Sequence, residues 1–440
     1  MKKVFKSISE SLFKELKSDE DVILSFSGEN SQFIRFNNAS VRQTGLVDDA
    51  DIELKFISNN RICGGGFTIS GNMEIDLARG KHEIERMRNE ANELPEDPFL
   101  VLPKNLGSSN VVKEASGLQF EDSIDAILPA MSGTDFVGIL ANGKMFRGNA
   151  NSKGQNHWFE TDTYSLDYSL VTSNHQMVKG SFSGSDWNQD EYESYVNRSK
   201  EKLSLMERKP IKIKTGDYRT WFESAAVSDF LGMFSWNGIS EASLRQGCSG
   251  FGKMRHNDVR LSPKFSVIED FSPGYCPKFN SDGEVAPDEL ALIEAGKLKN
   301  TLISSRSAKE YGLQSNYAEN GEFLRSPRMA IGNLNQNDVV KELDRGLFLS
   351  NIHYLNWSDN PGGRITGLTR YACFWVEGGE IVAPIETMRF DDSFYRFFGD
   401  QLSEVEDRLY SNPEVGTYGG RSLGATACPG ILVDSFSLTL

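Results

Sequence analysis

Between residues 20 and 70, apolar and polar residues alternate with a period of two in the runs DVILSFS, SQFIRFNN, SVRQTGLV, DIELKFISN and RICGGGFTI. Alternation of this kind places successive side chains on opposite faces of a strand, which commits the stretch to an antiparallel sheet with one covered face. The Asn- and Gly-containing segments between the runs predict turns, giving a meander of short strands. Helical spacing brackets the meander. Val4, Ile8, Leu12 and Leu16 precede it as one amphipathic face, and Leu77, Ile84, Met87, Ala91 and Leu94 mark a helix over 74–94 after it. Residues 1–94 are therefore expected as an α+β domain in which helices flank the sheet.

A chain of 440 residues exceeds one ordinary core, and its punctuation suggests where to divide it. ELPEDPFLVLPKNLGSSN (93–110) holds three prolines and a GSS cluster, so residues 95–112 are expected as a linker. A middle α+β domain, 113–214, should follow. It has a helix near 120–131, strands in DFVGILAN, KMFRGNAN and HWFETDTYSLDYSLVTS, and a last helix over 190–208. From 215 to 440 strand-like segments with many Gly turns predict a β-rich domain, among them RYACFWVEGGEIVAP and GILVDSFSLTL. A helix at its start carries Trp221, Phe222, Ala225, Phe230, Leu231, Phe234 and Trp236. Apolar over most of its circumference, that helix is expected to be buried.

Charge narrows the partners. Asp and Glu number 62 against 47 Lys and Arg, a net charge of −15, and the densest basic run is only KPIKIK (209–214). Neutralising a phosphate backbone needs clustered cations, so direct nucleic-acid binding is disfavoured. No run of 18 apolar residues appears, so no membrane partner is expected. Lys6, Glu10, Lys14 and Glu15 interrupt the apolar core that a secretion signal requires. Cys63, Cys248, Cys276, Cys373 and Cys428 are odd in number and widely spread, which fits reduced thiols and a cytoplasmic location.

Several motifs tempt and fail. Gly247–Lys253 fits G-x-x-x-x-G-K, but a helical pattern precedes it and Met254 stands where a phosphate loop needs Ser or Thr. Gly420-Arg421-Ser422-Leu423-Gly424 fits G-x-S-x-G, yet no histidine follows to act as base. His82-Glu83 opens like H-E-x-x-H, but Arg86 occupies the second ligand position. His82, His157, His175, His256 and His353 are all isolated. Cys248, near His256, is a nucleophile only if a base folds onto it, and a small residue packed at a glycine-rich bend is the better account.

Taken in order, FIRFNNASVRQTGL, MFRGNANSKGQNHWFETDTYSLDYSLV, IKIKTGDYRTWFESAAVSDFL, EAGKLKNTLISSRSAKEYGL, SPRMAIGNL and FWVEGGEIVAPIETMRF resemble the TldD/PmbA family over nearly the whole chain. These are peptidase-related proteins once described as modulators of DNA gyrase. One branch carries an H-E-x-x-x-H helix whose histidines hold zinc together with a cysteine near the C-terminus. Laid on this sequence through RQGCSGFGK, the first histidine falls at Gly232, the glutamate at Met233 and the second histidine at Asn237. The cysteine falls near Val415 to Tyr418, where there is none, and Cys428 lies about a dozen residues further on.

The resemblance is therefore to the zinc-less PmbA (TldE) branch. It implies no catalytic residue and no cofactor in this chain, with zinc only in a TldD-like partner. The pair would act on extended or unfolded peptides. Asn237, Glu241, Arg245, Cys248 and Ser249 are candidate groove or partner contacts. Two rival readings are a stand-alone homodimeric scaffold or peptide-binding module, and a self-sufficient peptidase with an unrecognised site.

Overall fold

The computed structural model describes residues 1–439. The first half consists of α1 (Lys2–Leu12), β1 (Glu20–Asn37), β2 (Ser40–Ser58), β3 (Arg61–Thr68), α2 (Met73–Ala91), β4 (Ser108–Lys113), α3 (Ser123–Met131), β5 (Asp135–Asn151), β6 (Asn156–Val171), β7 (Met177–Gly184) and α4 (Gln189–Met206). Next come β8 (Gly216–Phe222), α5 (Ser224–Ser235), α6 (Glu241–Arg245), α7 (Gly252–Arg255), β9 (Val267–Asp270), β10 (Glu289–Glu294), β11 (Lys297–Leu298), α8 (Ser305–Tyr311), β12 (Pro327–Met329) and α9 (Val339–Leu343). The chain ends with β13 (Gly346–Asp359), β14 (Arg364–Glu377), β15 (Glu380–Pro384), β16 (Arg389–Ser393), α10 (Phe394–Phe397), β17 (Leu402–Val405), β18 (Tyr410–Pro413), β19 (Ala425–Cys428) and β20 (Ile431–Leu438).

These strands form three sheets. Residues 1–214 build one seven-stranded sheet in the order β3-β2-β1-β5-β6-β4, with β7 also on β6. The stretch 95–112, expected as a linker, is free of helix and strand only to Gly107; its last residues enter β4 and pair in parallel with β6. In the C-terminal part a six-stranded sheet runs β11-β10-β9-β12-β19-β18. The third sheet follows β13-β8-β20-β16-β14-β15, and because β13 also pairs with β14 the path closes into a ring. The architecture is α+β, with the helices laid on the first sheet and α5 at the start of the β-rich part.

The meander differs from expectation in one respect: its five runs form three long strands. DVILSFS and SQFIRFNN are both in β1, and SVRQTGLV and DIELKFISN are both in β2. The segment Gly28-Glu29-Asn30 does not turn because it is laddered on both sides, Glu29 lying opposite Asp49 on β2 and Met145 on β5. The real reversals are Asn38-Ala39 and Asn59-Asn60, with φ of 49°, 48°, 49° and 57°. Two consecutive positive φ values match the twist of paired strands, which explains the asparagines. Asn142-Gly143 likewise lies inside β5, merging DFVGILAN with KMFRGNAN. Gly143 takes φ 131°, and a side chain there would strike the Asn30 carbonyl of β1.

A loop of the β-rich part fastens onto this crowded spot. Arg421, from the rejected G-R-S-L-G motif, is 8% exposed and donates to the Gly143 carbonyl (2.9 Å), the Thr163 carbonyl (2.9 Å) and Ser31 Oγ (3.2 Å). Its amide donates to Glu29 Oε1 at 3.1 Å. Burial pulls the Arg421 pKa down to about 10, partly offset by the charges of Glu29 and Asp162. A second fastener is the turn Phe279–Gly283: the Phe279 ring stacks on His157 at 5.3 Å, and the Ser281 carbonyl accepts from Asn149 (2.9 Å) and Ser25 (3.0 Å). Replacing Arg421 by Gln would strand buried carbonyls and remove the cation near the Glu29 and Asp162 charges. In urea unfolding R421Q should lose about 3 kcal/mol; an unchanged midpoint would contradict this role.

Candidate functional site

Helix α5 starts where β8 ends, so Trp221 and Phe222, expected on the helix, stand on the strand instead. The inner face of the helix is Ala226, Val227, Phe230, Leu231, Met233 and Phe234, all buried. Phe230 packs against Phe222, Phe397, Phe398 and Phe436, and Phe234 against Phe251, Phe394 and Phe398, with ring centroids 4.6–6.3 Å apart. The outer face carries Ala225, Ser228, Asp229 and Gly232 at helical spacing. Trp236, also expected to be buried, is 49% exposed. The helix ends one residue earlier, Asn237 turns with φ 55°, and the Trp236 carbonyl accepts from Trp357 Nε1 at 2.6 Å.

The three positions that the resemblance assigns to a zinc helix fall in three different environments. Gly232 is exposed, and a side chain there would meet nothing within 4 Å. Met233 is 5% exposed and belongs to the aromatic core. Asn237 lies beyond the helix, exposed, with its carbonyl accepting from Gly250 N at 3.1 Å. Glycine has no ligand atom, a thioether is no base, and a carboxylate in Met233's place would be desolvated among rings at a cost of several kcal/mol. Cys428 is fully buried at the other end of α5, its Sγ donating to the Ser224 carbonyl at 3.2 Å, and burial pushes its pKa up to about 12. From Ser224 to Gly232 the helix rises about 12 Å. Among the described residues no three His, Cys, Asp or Glu side chains gather closely enough to hold an ion. Zinc does not fit this donor set.

The remaining candidates sit on the turn after α5. Glu241 is fully buried; burial alone would raise its pKa, but hydrogen bonds from Thr301 (2.6 Å) and Arg245 (2.8 Å) and the charge of Arg255 hold it below the usual range. Ser249, 4% exposed, donates to the Gly238 carbonyl and accepts from Phe251 N at 2.9 Å. Cys248 is half-buried, with its Sγ 3.5 Å from the Ser243 carbonyl. Arg245 is exposed and stacks on Tyr311 at 5.8 Å. Glu241 and Ser249 thus stand behind the surface, while Asn237 and Arg245 face solvent. In the stretch Gly247–Lys253 the lysine lies over the Tyr395 ring at 5.6 Å, a packing contact.

Sequence reasoning missed Asp229, although an aspartate three residues before Gly232 in an otherwise apolar helix was a visible signal. Its side chain reaches solvent, yet surrounding protein excludes enough water to push its pKa up to about 7, opposed by a backbone hydrogen bond from Ile352. An unfolded Asp titrates near 3.9, so the stability tied to its protonated form is full below about pH 4 and lost as pH rises through about 7. D229N should therefore raise the melting temperature at pH 8 and leave it unchanged at pH 4. A destabilised D229N at pH 8 would show instead that the ionised group is paired.

Comparison with known proteins adds the family. Residues 215–440 match the PmbA/TldA metallopeptidase C-terminal domain. No curated protein sequence gives a significant match. Among solved structures, TldE from Thermococcus kodakarensis superposes with a TM-score of 0.79 at 16% identity, covering 99% of this chain and 100% of that one. A proposed modulator of a DNA gyrase from Thermotoga maritima gives 0.78 at 16% identity, covering 99% and 100%. A similar protein from Bacteroides thetaiotaomicron gives 0.76 at 15%, covering 100% and 98%. At such identities the structures show a shared fold. Since the match at 215–440 covers more than half of the sequence, the chain belongs to the PmbA/TldD family.

Proposed function

We propose that this chain is the non-catalytic subunit of a two-chain metallopeptidase, paired in the cytoplasm with a zinc-carrying TldD-like subunit that acts on extended or unfolded peptides. The observation that carries the reading is the state of the family's zinc helix: Gly232 brings no donor, and Met233 turns its side chain into the phenylalanine core. The helix is kept for its packing, and a peptidase assembled on this fold must draw its metal from a second chain. The role left to this subunit is to close the substrate passage. Extended chains bind by adding a strand to a sheet edge, which a fold of three sheets supplies and which a folded substrate cannot exploit. On the surface, Asn237 and Arg245 are the proposed partner contacts.

The test is to recover the tagged chain from its native cell and weigh what accompanies it. The expected result is a complex containing a chain with an H-E-x-x-x-H helix, with zinc and peptidase activity present in the pair. Recovery of self-associated chain alone would favour a homodimeric binding module. Peptidase activity of the isolated chain, lost on replacing Cys248 by Ala, would favour a self-sufficient enzyme.

A further inference from the structure

The hairpin that closes the third sheet is irregular at three places, two of which carry a left-handed residue. Between the pairs Leu349–Cys373 and Asn351–Arg370, strand β14 has two residues, Tyr371 and Ala372, against Ser350 alone. Between His353–Leu368 and Asn356–Thr366, strand β13 has Tyr354 and Leu355 against Gly367 alone. Each is a bulge, and each carries a left-handed residue, Tyr354 at φ 52° and Tyr371 at φ 63°. Bulges that need this conformation normally place glycine there, because a β-carbon is strained in it. Two bulky residues held this way on facing strands indicate a built feature, since such strain collects at ligand sites.

Between the bulges Ile352 and Thr369 point into the core, at 4% and 2% exposure, which leaves Asn351, His353, Leu368 and Arg370 on the outer face. The Arg370 guanidinium stacks over the Tyr371 ring at 4.9 Å, and His353 lies against Tyr354 with centroids 4.1 Å apart. Of the arginines nearby, Arg364 pairs with Asp391 and Arg396 of α10 with Asp392 and Asp217, while Arg389, opposite Leu368 on β16, donates to Thr366 Oγ1. Arg370 enters no ion pair among the described residues, and its buried Nε has no hydrogen-bond partner. Burial, with the charge of Arg370, lowers the pKa of His353.

We infer that this double bulge is a carboxylate-binding site, with Arg370 pairing the C-terminal carboxylate of an extended peptide between the aromatic walls of His353, Tyr354 and Tyr371. A planar guanidinium matches a carboxylate edge-on, with two parallel hydrogen bonds. The exposed Tyr354 ring covers the residue before the terminus. Choosing a peptide as the ligand rests on the proposed function above.

The experiment titrates the full chain with an N-acetylated alanine–leucine heptapeptide in two forms, free acid and C-terminal amide, by calorimetry. The acid should bind more tightly by about tenfold or more. R370Q should bring the acid down to the level of the amide, and R370K should keep part of the preference, with melting temperatures confirming that both variants fold. Equal binding of acid and amide by the native chain overturns this inference alone, as does a preference that survives R370Q. Loss of the partner subunit from R370Q without a change in peptide preference also overturns it, making Arg370 a subunit contact. Binding of neither form overturns both this inference and the peptide-handling reading beneath it.

Discussion

A helix enclosed by aromatic rings tolerates no charge on its inner face, and α5 is enclosed in that way. Phe222, Phe251, Phe390, Phe394, Phe397, Phe398 and Phe436 surround Phe230 and Phe234 from β8, β16, β20, α10 with the residue after it, and the residue before α7. Each buried ring contributes about 2–3 kcal/mol, and each well-placed ring pair adds about 1 kcal/mol. An ionised carboxylate among them costs several kcal/mol. The balance favours Met233. Met233 is thus part of the core that packs against the third sheet.

The rest of the molecule is organised around keeping two parts in register. Long strands in the first sheet are uninterrupted at Gly28–Asn30 and at Gly143, and there they receive Arg421 from the other part. The chain pays for burying that guanidinium with several hydrogen bonds in fixed directions, which sets orientation as well as affinity. The Phe279–Gly283 turn does the same some distance away, with a stacked ring and carbonyls in place of a charge.

Much of this was legible in the sequence. Period-two alternation located the first sheet, and helical spacing located α1, α2, α3 and α4 to within a few residues. The strand lengths were not legible, because Gly28-Glu29-Asn30 and Asn142-Gly143 have turn composition and only tertiary pairing keeps them extended. At the site, the resemblance assigned Gly232, Met233 and Asn237 to the positions of a zinc helix, and their residue types carry no metal-ligand set. What identity could not supply was direction. Glu241 and Ser249 look like surface contacts in a polar stretch but are saturated inside, whereas Arg421, in a motif set aside as a failed hydrolase elbow, is a structural fastener. The bulges at Tyr354 and Tyr371 left no trace, since the residue type argues against the conformation.

Family membership joins this chain to metallopeptidases, while among the described residues no cluster of three His, Cys, Asp or Glu side chains could hold a metal. The difference reduces to whether side chains around α5 can grip a divalent ion. Purified chain, dialysed with excess zinc and then freed of unbound metal, should retain far less than one equivalent by elemental analysis. A full equivalent that survives dialysis and depends on side chains between Ser228 and Asn237 would contradict the account.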